Sequence, residues 1–198
     1  MSGYLTDRQY NELLEKVSIY RIGSKSLNDL STYSFDVGTA QEYKTFLFQK
    51  AKRLDELAIS KTFVMFHNQT GELIGYFTLS ADTIKLTPSE KERANLNEVS
   101  FMSLPAIKIG KLAINKGLSQ EASRKGYGSF AIEMAVSKAY EILKTGVACR
   151  FITVDADIEY DPRTPEFYEK NGFSRNESRR IKATDKTISM RKDIFDEE

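Results

Sequence analysis

Two scarcities exclude whole classes of chemistry at the outset: the 198-residue chain has one cysteine, Cys149, and one histidine, His67. A single thiol cannot close an intramolecular disulfide, and one Cys with one His falls short of the usual tetrahedral zinc set, so no metal is expected. The same shortage argues against a Cys-His or Ser-His nucleophile. Long apolar runs are also missing. Nothing approaches the roughly 18 residues that mark a membrane span, and the polar start MSGYLTDRQY lacks the apolar core of a signal peptide. The expected setting is cytoplasmic, with no membrane partner. Charge of one sign is lacking too, since 29 Lys and Arg against 28 Asp and Glu leave +1. A nucleic acid would have to be met by a local patch.

What is present suits a globular protein: 40% hydrophobic and 29% charged residues, in a chain long enough for one domain with an appended segment. The expected division is an N-terminal helical extension over 1–30 and a main domain over 31–198. Cys149 opens the apolar run Cys149-Arg150-Phe151-Ile152-Thr153-Val154 and reads as a buried, inert thiol. His67, ahead of the turn-like Asn68-Gln69-Thr70-Gly71, reads as an exposed hairpin residue.

Thr6-Asp7-Arg8-Gln9 has the pattern of a capping box, and Tyr10, Leu13, Leu14 and Val17 then recur at helical spacing. Thr39 with Glu42 predicts a second capping box before Tyr43, Phe46, Leu47, Ala51, Leu54 and Ala58. The branched and aromatic runs 62–66 and 73–79 flank a turn and predict a β-hairpin. Thr87-Pro88-Ser89-Glu90 predicts a short exposed helix or a polar loop. In Ile107-Lys108-Ile109-Gly110-Lys111-Leu112-Ala113-Ile114 the alternation slips by one residue at Gly110 and Lys111. That reads as a β-bulge, or as a strand buried on both faces. Phe130, Ile132, Ala135, Val136, Ala139, Ile142 and Leu143 line one face of a long helix that Thr145-Gly146 ends, and a strand follows at 151–154.

The stretch with chemistry in it is Arg124-Lys125-Gly126-Tyr127-Gly128-Ser129. Two glycines one residue apart let several amides converge on one point, the positive end of the following helix faces the same way, and two cations flank it. It reads as an anion cradle or as an ordinary tight turn before a helix. No third glycine follows Ser129, which disfavours a dinucleotide fingerprint, and no Gly-Lys-Ser/Thr of a P-loop is present.

Strand 111–114, this glycine turn, the long helix, strand 151–154 and then Phe167-Tyr168-Glu169-Lys170-Asn171-Gly172-Phe173 together resemble the GCN5-related N-acetyltransferases, over about Thr62 to Met190. The resemblance implies an α/β (α+β) fold, a mixed sheet with a bulged, splayed strand and flanking helices. It implies acetyl-CoA as cosubstrate, with Leu112, Ala113 and Ile114 pairing with pantetheine and Arg124, Lys125, Gly126, Tyr127, Gly128 and Ser129 at the pyrophosphate. Ser123 stands where the family has Gln or Arg, so the backbone cradle carries more of that expectation than a side chain does. Tyr168 would be the general acid that protonates the leaving thiolate; its alternative is a core aromatic beside Phe167 and Phe173. For a general base, Asp155, Asp157, Glu98 and Glu72 are candidates by position, and surface carboxylates are the plainer reading of each.

Within the family, Phe35-Asp36-Val37-Gly38, the helix after it, Thr62-Phe63-Val64 and Gly75-Tyr76-Phe77-Thr78-Leu79 are similar to acetyltransferase toxins that act on aminoacyl-tRNA. That similarity would add an antitoxin partner, and the wider family allows a homodimer. Arg175, Arg179, Arg180, Lys182, Lys186, Arg191 and Lys192 outnumber Glu177 and Asp185 near the C-terminus. They could meet phosphates or form a solvated face. The acceptor is expected to be a primary amine. A degenerate module that binds acyl-CoA without turnover is the non-enzymatic alternative.

Overall fold

The computed structural model describes residues 5–24, 29–179 and 182–196. Its elements run α1 (Asp7–Lys16), β1 (Val17–Arg21), a 3₁₀ turn (Leu30–Thr32), α2 (Gln41–Thr45), a π turn (Phe46–Lys50), α3 (Ala51–Glu56), β2 (Lys61–His67), β3 (Leu73–Lys85) and α4 (Pro88–Arg93). They continue with β4 (Ser103–Ile114), α5 (Tyr127–Lys144), β5 (Phe151–Asp157), α6 (Thr164–Lys170), β6 (Ser174–Arg175) and β7 (Thr187–Asp193). The seven strands form a mixed sheet in the order β1-β2-β3-β4-β5-β7-β6, with β4 and β5 parallel. The chain divides into two compact units, one drawn from Tyr4–Ser80 and Gly110–Met134, the other from Ala81–Ile109 and Ala135–Glu198.

In the first unit, α1 opens with the expected capping box, Thr6 and Gln9 each bonding the other's backbone. The helix stops one residue earlier than its apolar spacing suggests, because Val17 begins β1, which pairs antiparallel with β2 from Val17↔His67 to Arg21↔Phe63. The β2–β3 hairpin forms as expected, with Phe63 and Phe77 stacked at 5.1 Å. His67 is a correction. It is 1% exposed, and its Nδ1 lies 3.1 Å from the Thr70 hydroxyl, so the turn folds back over the ring.

The second capping box also fails. The N-cap of α2 is Ala40, with no side-chain bond, while Glu42 is turned toward Lys111. The apolar residues after Tyr43 are accommodated by the π turn, in which the wider winding changes the face presented by the residues beyond it. Leu47 and Ala51 consequently enter a core with Phe35, Val37, Val64, Leu73 and Tyr76.

Asp55, 3% exposed, closes this end of the unit by accepting from Arg21 Nη2 at 2.7 Å, Lys61 Nζ at 3.3 Å and the Thr62 amide at 3.2 Å. Burial pushes its carboxyl up, but the bonds from Arg21, Thr62 and Lys61 outweigh that, and its pKa lies below the ordinary value. A depressed carboxyl stabilises the fold above its unfolded pKa of about 3.9 and loses that contribution as pH falls through the folded value. Asp55→Asn is expected to cost on the order of 1–3 kcal/mol at neutral pH and to flatten the acid limb of a stability–pH curve. Melting temperatures across acid and neutral buffers check both.

In the second unit, Ile84, Leu86, Leu104, Ala106 and Phe151 form a core cluster against which Ala94, Leu96 and Val99, following α4, pack. Of the helix or loop expected at Thr87-Pro88-Ser89-Glu90, the helix forms, opened by a capping box between Thr87 and Glu90. Glu90 is 1% exposed, so this short helix carries a buried acid as well as an exposed face. Arg191 Nη1 lies 2.6 Å from Glu90 Oε1, and the Thr87 and Glu177 amides donate to the same carboxylate at 2.6 and 2.8 Å. Cys149 is buried, as expected, and burial raises its thiol pKa.

Candidate active site

β4 changes character at Gly110. Up to that point its apolar residues are buried, and it pairs with β5 from Ala106↔Phe151 to Ile109↔Val154. From Lys111 to Ile114 every residue is half-buried and the in–out alternation is gone. The Lys111 amide donates to the Thr78 hydroxyl at 2.9 Å, where a regular ladder would offer a strand carbonyl. The slip at Gly110 and Lys111 thus falls where the pairing of β4 with β5 ends, while the strand itself runs on through Leu112 and Ala113 to Ile114.

The strand end is pinned by Asn115. Its own amide donates to Ile74 O at 2.7 Å, and its Nδ2 donates to Ser34 O at 3.0 Å and Leu73 O at 2.9 Å. Its Oδ1 accepts from the amides of Asp36 and Gly117, both at 2.9 Å. Both donors and both acceptor sites of the side chain are used. An Asn after an apolar run reads as a turn former, so this role has no signal in the sequence beyond its position.

The glycine turn belongs to the same unit. Gly126 has φ +100°, and α5 starts at Tyr127. Gly126 and Gly128 are half-buried, with Arg124 and Lys125 exposed beside them. Tyr127 points its ring inward, 2% exposed, its hydroxyl donating to Ala122 O at 2.7 Å, so only its backbone is available to a ligand. Ser129 is 1% exposed, and its hydroxyl has no partner among the described residues. An orphan hydroxyl in the first turn of a helix, with two glycines and two cations just ahead of it in the chain, fits an anion site.

A Cβ on Gly126 would lie 2.6 Å from Leu5 Cδ2. Gly126→Ala is expected to cost about 1–3 kcal/mol through left-handed strain. Adding Leu5→Ala should relieve the clash but not the strain, a difference that thermal melts would register.

Tyr168 lies in the other unit, on α6. Its ring is packed edge-on against Phe167 and Phe173 at 5.1 and 5.3 Å, and Gly172 at φ +80° ends the helix. Burial, then the charge of Asp157, pushes its phenol pKa well above the ordinary value, so the proton is retained at neutral pH. Among the described residues its hydroxyl makes no hydrogen bond within the chain.

The carboxylates considered as bases differ. Asp155 is paired with Lys108 and with Arg179, the latter at 3.2 Å. Glu72 accepts from the Ser119 hydroxyl and amide, which lower its pKa. Glu98 is exposed.

The basic C-terminal stretch is less free than its sequence suggests. Arg175 pairs with Glu169, Arg179 with Asp155, Lys186 with Glu159 and Arg191 with Glu90. Arg180 lies outside the described residues. Arg179, Lys182 and Lys186 still line a recess of about 340 Å³ together with Asp185, Asn176, Thr187 and Ser189.

The sequence matches no known family model and no curated protein. Solved structures do match. A Tyr-to-Phe mutant of KacT superposes with a TM-score of 0.64 at 20% identity, over 88% of this chain and 94% of that chain. AtaT complexed with acetyl-methionyl-tRNAfMet gives 0.63 at 19%, over 87% and 93%. A structure described as a bacterial toxin gives 0.68 at 16%, over 90% of each. The fold is the one these structures of KacT and AtaT share. AtaT has also been solved with the C-terminus of the antitoxin AtaR and acetyl-CoA. Among the described residues no helix is long and apolar enough to cross a membrane, and no group of His, Cys, Asp and Glu could hold a metal ion.

Proposed function

We propose that this chain is an acetyl-CoA-dependent N-acetyltransferase, and that its acceptor is the amino group of an aminoacyl-tRNA. The observation that carries the first part is the opening of α5, where left-handed Gly126, the exposed Arg124 and Lys125 and the unpartnered Ser129 hydroxyl provide for a pyrophosphate. Leu112, Ala113 and Ile114, beyond the last residue of β4 that pairs with β5, would align the pantetheine amides. Bound acetyl-CoA would supply an activated acetyl thioester. Tyr168 would hold the proton that the departing thiolate takes.

The acceptor part is supported by the likeness to AtaT with acetyl-methionyl-tRNAfMet over nine-tenths of its length. An α-amine of pKa about 8 is partly neutral at physiological pH, whereas a lysine amine of about 10.4 is not. That suits a chain in which two of the candidate bases, Asp155 and Glu72, are each engaged in bonds of their own. The recess lined by Arg179, Lys182 and Lys186 offers cations for a phosphate backbone. An antitoxin partner and a homodimer, open to co-purification and to the mass in solution, belong to the same proposal.

Thioester cleavage assayed with charged tRNA and with a panel of small amines tests it. Release that depends on charged tRNA is expected. Release with small amines alone would make the protein a metabolic acetyltransferase, and binding without release a non-catalytic module. If acetyl-CoA does not bind, the reading falls.

A further inference from the structure

The first unit already holds an ammonium group on the outer side of α2. Lys111 Nζ lies 2.8 Å from Glu42 Oε1, 4.3 Å from the centre of the Tyr43 ring and 5.7 Å from that of Phe46. A carboxylate with two aromatic faces is the combination that recognises an alkylammonium ion. The rings are held in place from beneath: the hydroxyl of fully buried Tyr76 donates to Tyr43 O at 2.8 Å, and Phe46 stacks on Tyr76 at 6.0 Å. The cation is not held so firmly. The Lys111 side chain is 26% exposed and its Glu42 partner 52%, and an ion pair this open contributes little to folding. Its flexible stem allows the ammonium to leave without moving the backbone. Lys111 also immediately precedes Leu112, on the strand assigned above to the cosubstrate.

We propose that Glu42, Tyr43 and Phe46 form the subsite for the acceptor's ammonium group, and that Lys111 fills it until an acceptor displaces it. The inference rests on the N-acetyltransferase reading and has the acceptor amine bind protonated, an α-amine of pKa about 8 giving that proton up to solvent before the neutral form attacks. Lys111 is then an internal competitor, and Glu42 the charge for which both compete.

Tetramethylammonium is the probe, because it cannot be acetylated or deprotonated and so reports binding apart from transfer. It is titrated into the full chain while the ring resonances of Tyr43 and Phe46 are followed by NMR. Lys111→Met, which keeps the stem and removes the competitor, is expected to tighten binding about fivefold, and adding Glu42→Gln to weaken it again by about three- to fivefold, the scale of an exposed charge pair. Opposite shifts at two touching residues are not what a general loss of folding produces, and circular dichroism confirms that each variant is folded. The subsite is overturned if the Lys111→Met protein shows no saturable ring shifts, or if Glu42→Gln leaves its affinity unchanged. Acetyl-CoA binding is measured separately by calorimetry. Its absence would overturn the assignment to an acceptor through the activity on which it rests, and would leave the ammonium site standing.

Discussion

Tyr168→Phe is expected to slow acetyl transfer by ~10²–10⁴-fold, the usual contribution of a placed general acid, while leaving acetyl-CoA affinity unchanged. The substitution removes one oxygen from a ring whose packing against Phe167 and Phe173 is apolar. Because the hydroxyl makes no hydrogen bond within the described chain, little stability should go with it. Burial and Asp157 hold the phenol protonated, so the wild-type rate should show no loss of this acid anywhere in the neutral range. Single-turnover kinetics with the acceptor saturating separates chemistry from binding. A variant with undiminished turnover would make Tyr168 a core aromatic and nothing more.

The second large effect concerns folding. Glu90→Ala should destabilise the protein by about 3–5 kcal/mol, because it strands Arg191, whose side chain is 10% exposed, without its counter-charge. It also deprives the Thr87 and Glu177 amides of their acceptor. For a chain of this length the melting temperature should fall on the order of 10 °C. Glu90→Ala with Arg191→Met removes both charges, and much of the loss should return, since an uncompensated charge costs more than a missing pair. If the double variant melts no higher than the single one, the pair is not what holds α4 to β7.

The regular elements were legible because their causes are local. The apolar face and the glycines of α5, the β2–β3 hairpin and the two true capping boxes each depend on residues within a few positions. Two of the failures came from partners far along the chain. Thr39 and Glu42 have a capping pattern, but Glu42 is drawn to Lys111, sixty-nine residues away. Glu90 is both a capping residue and a buried counter-ion, and only its first role is written in its neighbours. His67 reads as exposed because hairpin ends usually are, until Thr70 turns back to meet it. β1 was hidden inside a helical spacing that Val17 fits equally well. At the site, the glycine turn and the slip in β4 were visible as patterns. The basic C-terminal stretch misled in the other direction, since the carboxylates that neutralise much of it come from α4, α6 and β5 and the loop after it.

The saturated amide of Asn115 constrains the order in which the chain can assemble. Its contacts to Ser34 and Asp36 span 81 and 79 residues, and those to Leu73 span 42. Closing loops of that length costs entropy that has to be met before the bonds form. During synthesis from the N-terminus, the segment around Ser34 and Asp36 has to wait for Asn115 to leave the ribosome before it can take its final place. That loop is thus made some eighty residues ahead of the residue that fixes it, the same one that finishes the strand proposed to hold the cosubstrate.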